Sequence, residues 1–109
     1  MSYITDLRHF LDEAGEIPSA LPKPARELAS FLALIVDAVT ISFPEQKWSI
    51  ETGIRCRTPG CSGETVGALD SADEPVHWYC LECGEDGTIS GWRESRWDNV
   101  DPRRLRTDV

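Results

Sequence analysis

Cys56-Arg57-Thr58-Pro59-Gly60-Cys61 and, further on, Trp78-Tyr79-Cys80-Leu81-Glu82-Cys83-Gly84 are the stretches on which the fold turns. All four cysteines of the chain fall in these two close pairs, with 18 residues between Cys61 and Cys80. A CxxC turn aims both sulfurs at one ion while neighbouring backbone N–H groups face them, and Gly84 suits the positive φ needed on the way out. The first pair is a longer CxxxxC loop, in which the turn dipeptide Pro59-Gly60 folds the extra residues back. The insert holds an apolar-leaning run from Thr65 to Leu69, the turn-rich Asp70-Ser71-Ala72-Asp73-Glu74-Pro75, and the strand-like Val76-His77-Trp78-Tyr79. This reads as one β-hairpin of the length that separates ligand pairs in a zinc ribbon.

Cys56, Cys61, Cys80 and Cys83 are therefore predicted to ligate one Zn²⁺. Four sulfurs close the coordination sphere, whereas a catalytic zinc keeps a position open for water or substrate, so the expected role is structural. An iron site of rubredoxin type uses the same ligands and stays open as an alternative. Two disulfides would need an oxidising compartment. Met1-Ser2-Tyr3-Ile4-Thr5-Asp6 lacks the basic start and apolar core of a secretory signal, which points to a reducing cytoplasm. A thioredoxin-type CxxC would need a βαβ surround, and none is visible. His77 and His9 are not spaced to replace a cysteine and read as surface or packing residues.

In the N-terminal half, Thr5 is placed to cap a helix over about 5–14, with Leu7, Phe10, Leu11 and Ala14 on one face and Gly15 as the stop. The segment from Ile17 to Pro24 carries three prolines and reads as a stiff extended connection. Pro24 suits a first helical turn, and Leu28, Phe31, Leu32, Ile35, Val36 and Val39 trace a second helix over about 24–42. Ala29, Ala33, Leu34 and Ala38 make that helix apolar over more than one face, so it should be covered from several sides, by its partner helix, by tryptophans or by a second copy of the chain. Its apolar run is interrupted by Asp37 and falls short of the roughly 20 residues that span a bilayer.

Charge is uneven. Residues 1–47 carry seven acids and four bases, residues 48–92 eight acids against Arg55 and Arg57, and residues 93–109 four acids and five arginines, giving −3, −6 and +1 of the total −8. The ribbon is the acidic part, which disfavours contact with a phosphate backbone. Arg93, Arg96, Arg103, Arg104 and Arg106 are interleaved with Glu94, Asp98, Asp101 and Asp108 and read as a solvated terminus. The acidic pairs Asp73-Glu74 and Glu85-Asp86 sit on turns, with no sign of a cleft between carboxylates. Trp48 and Ile50 alternate with polar residues as a strand leading into the ribbon. Trp48, Trp78, Trp92 and Trp97 either form an exposed platform for bases or peptides or fasten the ribbon to the apolar helix, and packing is the favoured reading.

The core Trp78-Tyr79-Cys80-Leu81-Glu82-Cys83-Gly84, followed by Ile89-Ser90-Gly91-Trp92, resembles a group of short, uncharacterised bacterial zinc-ribbon proteins with a helical N-terminus, a Leu-Pro-rich connection and two cysteine pairs. The resemblance implies metal binding in a bacterial cytoplasm and implies no activity. The expected architecture is small α+β: an N-terminal helical hairpin (1–47, helices about 5–14 and 24–42) packed on a C-terminal antiparallel β zinc ribbon (48–97), with a mobile tail (98–109). The expected function is that of a non-enzymatic module with a structural zinc, acting through a protein partner or a homodimer on the apolar helix. The alternatives are a nucleic-acid-associated regulatory factor and a thiol–zinc redox switch.

Overall fold

The structure, a computed structural model, describes residues 2–93 and 95–100. Its elements run β1 (Ser2–Asp6), a short 3₁₀ turn (Leu7–Phe10), α1 (Lys23–Ser42), β2 (Ile50–Arg55), β3 (Glu64–Ala68), β4 (Val76–Cys80) and β5 (Asp86–Ser90). The strands form a single mixed sheet in the order β1-β5-β4-β3-β2. Strands β2 to β5 are an antiparallel meander, as turn-linked consecutive strands should be, and β1 adds to the β5 edge in parallel.

The expected helical hairpin packed on an antiparallel zinc ribbon is overturned. Among the described residues the fold is small α+β, with one α-helix and a five-stranded mixed sheet in which β1 runs parallel to β5. Residues 5–14 form no α-helix. Tyr3-Ile4-Thr5 is β-prone and pairs with Gly87, Thr88 and Ile89, while the apparent helical stripe buries Leu7 alone and leaves Ala14 exposed. Asp6 caps the 3₁₀ turn in place of Thr5. Its carboxylate accepts the Arg8 backbone N–H at 3.0 Å and pairs with the Arg8 guanidinium at 2.6 Å. That pairing holds the Asp6 carboxyl down at about 2, so the cap is formed at any pH above the ordinary carboxylate range and fades only as pH falls through about 2. Asp6→Ala should cost about 1 kcal/mol in urea denaturation at pH 7, from the cap far more than from the solvated ion pair.

The second helix forms where the stripe places it. Ala29, Phe31, Leu32, Ala33, Ile35, Val36 and Val39 are all buried. Phe31, Leu32, Ile35, Val36 and Val39 join Leu7, Ile50, Leu69, Val76, Trp78, Ile89 and Trp92 in one core between helix and sheet. A different part of the helix is covered by the C-terminal segment. Thr40 Oγ1 donates to the Trp97 carbonyl at 3.1 Å, and Asn99 Nδ2 donates to Asp37 Oδ1 at 2.9 Å. Asp98 is buried, so residues 98–100 are a strap on α1, and they depart from the expected tail beginning at 98. The remainder of that tail, 101–109, lies outside the described residues.

One cross-strand row fixes how helix and sheet meet. Gly67, Trp78, Gly87 and Tyr3 stand side by side across β3, β4, β5 and β1. Gly87 leaves room for the Trp78 indole, which stacks on Tyr3 (centroids 6.1 Å, planes 15° apart) and meets Phe31 edge-on (5.3 Å, 87°). A Cβ at Gly67 would collide with Val39 Cγ2, so α1 can sit this close only over a glycine. Gly67→Ala is accordingly expected to lose about 1–3 kcal/mol through overpacking, read as a lowered urea midpoint with unchanged slope.

Candidate metal centre

The meander brings both cysteine pairs to the same end of the sheet. Cys56 directly follows β2, Cys61 lies in the β2–β3 loop, Cys80 is the last residue of β4, and Cys83 lies in the β4–β5 turn. Pairing of Thr65 with Cys80 sets one knuckle against the other. Each loop is held by backbone bonds: Cys56 N–H to Gly63 O at 2.9 Å, Cys61 N–H to Thr58 O at 3.0 Å, and Cys80 N–H to Glu85 O at 2.7 Å. Gly84 adopts φ +78, the left-handed conformation expected of it after the CxxC turn.

The four sulfurs all lie within 4.8 Å of one another, a cluster that could hold a metal ion. Cys56 Sγ is 3.6 Å from Cys83 Sγ, and Cys61 Sγ is 3.5 Å from Cys80 Sγ. A tetrahedron with metal–sulfur bonds of about 2.3 Å has edges of about 3.8 Å, so an ion fits with little movement. All four cysteines are free, and these separations are far beyond the ~2.05 Å of a disulfide. The two-disulfide alternative is thereby removed. Cys56 and Cys80 are buried, Cys61 is half-buried and Cys83 is exposed, so the cluster has a closed inner side and an open rim.

Backbone amides surround the sulfurs. Thr58, Gly63 and Glu82 point their N–H groups at Cys56, Cys61 and Cys80, at 3.5, 3.4 and 3.4 Å, each from two residues further along. The amides of Cys83 and Glu82 draw the Cys80 thiol down to about 7 against the effect of burial. Cys61 behaves oppositely. The Gly63 amide favours its thiolate, but burial and the three neighbouring sulfurs together push it up to about 12. Sulfurs this close cannot all ionise unless a cation lies among them. The Thr58 hydroxyl stands 3.3 Å from Cys56 Sγ, where it would donate to a thiolate. A Cβ on Gly63 would come within 2.8 Å of Cys80 Sγ, so a side chain there would push the knuckles apart.

Thr58 and Gly63 are the members of the centre that the cysteine spacing did not single out. Gly63 had a signal available, since it stands two residues after Cys61 as Glu82 does after Cys80. The other candidates lie elsewhere. His77 is exposed on the sheet, opposite Thr88 and Ala68, and His9 is exposed beyond β1. Trp78 and Trp92 are buried and Trp97 packs against the core, as fastening residues should, while Trp48 is 61 % exposed and precedes β2 without joining it. Arg93 pairs with Asp73 at 2.9 Å and Arg96 with Glu16 at 3.3 Å; Glu94, Asp101, Arg103, Arg104, Arg106 and Asp108 lie outside the described residues. Among the described residues no helix is long and apolar enough to cross a membrane. No protein family, curated protein or solved structure matches this chain, so its own geometry carries the functional reading.

Proposed function

We propose that Cys56, Cys61, Cys80 and Cys83 bind one zinc ion as a structural centre, and that the protein is a non-enzymatic module acting through contacts with a protein partner. The observation that carries this is the convergence of four sulfurs within 4.8 Å of one another at the joint of two hairpins. With every ligand a thiolate, the ion has no position for water or substrate, and its contribution is to hold the two knuckles together. The amides of Thr58, Gly63 and Glu82 stabilise the thiolates and spread the negative charge that four sulfurs leave on a divalent ion. Zinc accounts for this donor set without a redox step, and iron in the same cage would announce itself by a visible charge-transfer colour.

A nucleic-acid role has less support. Trp78 and Trp92 are occupied in the core, Arg93 and Arg96 are paired with acids, and residues 48–92 carry net −6. Elemental analysis of protein purified without added metal tests the proposal. One zinc per chain and a colourless sample are expected. Iron at that stoichiometry, or no metal at all, would overturn it.

A further inference from the structure

Against the cysteine cluster, with Cys56 and Thr58 in its wall, the chain forms a cavity of about 410 Å³ bounded by α1, β1, β4 and the loop that follows Cys56. Its walls are mainly apolar and aromatic, formed by Tyr3, Leu28, Phe31, Leu32 and Trp78. Arg57 is the one basic side chain in the lining among the described residues, and it stands next to Cys56 with no Asp or Glu in the wall. In a chain with 19 acids, its guanidinium pairs with none of the described ones and lies instead 5.9 Å from the centroid of the Phe31 ring.

We propose that this cavity binds a small aromatic carboxylate, its rings beside Tyr3 and Leu28 over a floor of buried Phe31 and Trp78, and its carboxylate on Arg57. Size, lining and charge each restrict the occupant. A closed apolar cavity of roughly 150 Å³ takes one benzene, so about 410 Å³ suits a fused bicyclic ring with a polar substituent. Phe31 and Trp78 pack edge-to-face on each other at 5.3 Å and give the cavity a rigid aromatic floor. The planar guanidinium, exposed at the rim beside the Phe31 ring, is a bidentate match for a carboxylate. A cation or a sugar finds no acceptor carboxylate there. The competing use of Arg57 is to offset the negative charge of the metal centre that begins at the adjacent Cys56, and the test separates the two.

The full chain, with its metal content measured beforehand, is titrated calorimetrically with 2-naphthoate and with 2-naphthamide, which has the same shape and no charge. Saturable one-to-one binding is expected, with the amide at least tenfold weaker, equivalent to about 1.4 kcal/mol. Arg57→Gln should reduce naphthoate to the affinity of the amide while leaving amide binding and metal content unchanged. Leu28→Trp, which fills the cavity from α1, should abolish both, and amide NMR shifts should centre on Phe31 and Trp78. Absence of saturable naphthoate binding up to about 1 mM, equal naphthoate affinity in Arg57→Gln, or metal loss from that variant would overturn the proposal. A fully metallated protein that fails to bind naphthoate removes the ligand site and leaves the metal reading intact.

Discussion

Removing the metal is expected to unfold the cysteine-bearing end of the sheet and, with it, most of the molecule. Structural zinc in small finger peptides supplies about 10–16 kcal/mol, against a typical domain stability of about 5–15 kcal/mol. The segments that form the centre have little else to hold them. In the loop from Cys56 to Gly63 only those two residues are buried, and from Leu81 to Gly84 every residue is exposed. Dialysis against a strong chelator should therefore abolish the near-ultraviolet circular dichroism of the tryptophans and restore it on addition of one equivalent of Zn²⁺. Spectra unchanged after verified metal loss would refute the structural role. Individual ligands should differ with burial. Cys80→Ser, at the buried end of β4, is expected to destroy the fold, whereas Cys83→Ser, at the exposed rim, should weaken metal retention in a protein that still folds when zinc is in excess.

Trp78→Ala should be the most costly single change outside the centre, by about 3–5 kcal/mol. The indole packs over Gly87, touches Phe31 from α1 and Tyr3 from β1, and so ties β4 to both elements. Gly87 cannot contribute a side chain to the vacated volume. Trp78→Phe should cost much less than alanine, because the indole N–H is buried without a hydrogen-bond partner among the described residues. Losing that unpaired donor returns about 1–3 kcal/mol, which offsets part of the lost ring area. Guanidinium denaturation of both variants checks the order: a phenylalanine variant as unstable as the alanine one would contradict the packing described.

The difference between what was legible and what was not follows the range of the interactions. Cysteine pairs, the Pro59-Gly60 turn and Gly84 are local signals, and they located the cysteine cluster and the β3–β4 hairpin. The stripe from Leu28 to Val39, with Pro24 ahead of it, located α1 to within a residue of Lys23–Ser42. The helix expected over 5–14 does not form: Leu7, Phe10, Leu11 and Ala14 imitate a helical period, while the partner that makes Tyr3-Ile4-Thr5 a strand lies more than eighty residues away in β5. Parallel pairing across that distance leaves no trace in a local window. The same holds for the C-terminal strap: Thr40 and Asn99 meet only once the sheet is assembled. It holds again for the cavity beside Arg57, whose walls come from residues 3, 5, 28, 31, 32, 56–59 and 78.

Zinc-edge X-ray absorption on the purified protein addresses the sulfur quartet directly. Four sulfur scatterers at about 2.3 Å, with no nitrogen or oxygen in the shell, are the predicted result. A shell containing nitrogen or oxygen, or fewer than four sulfurs, would contradict the account.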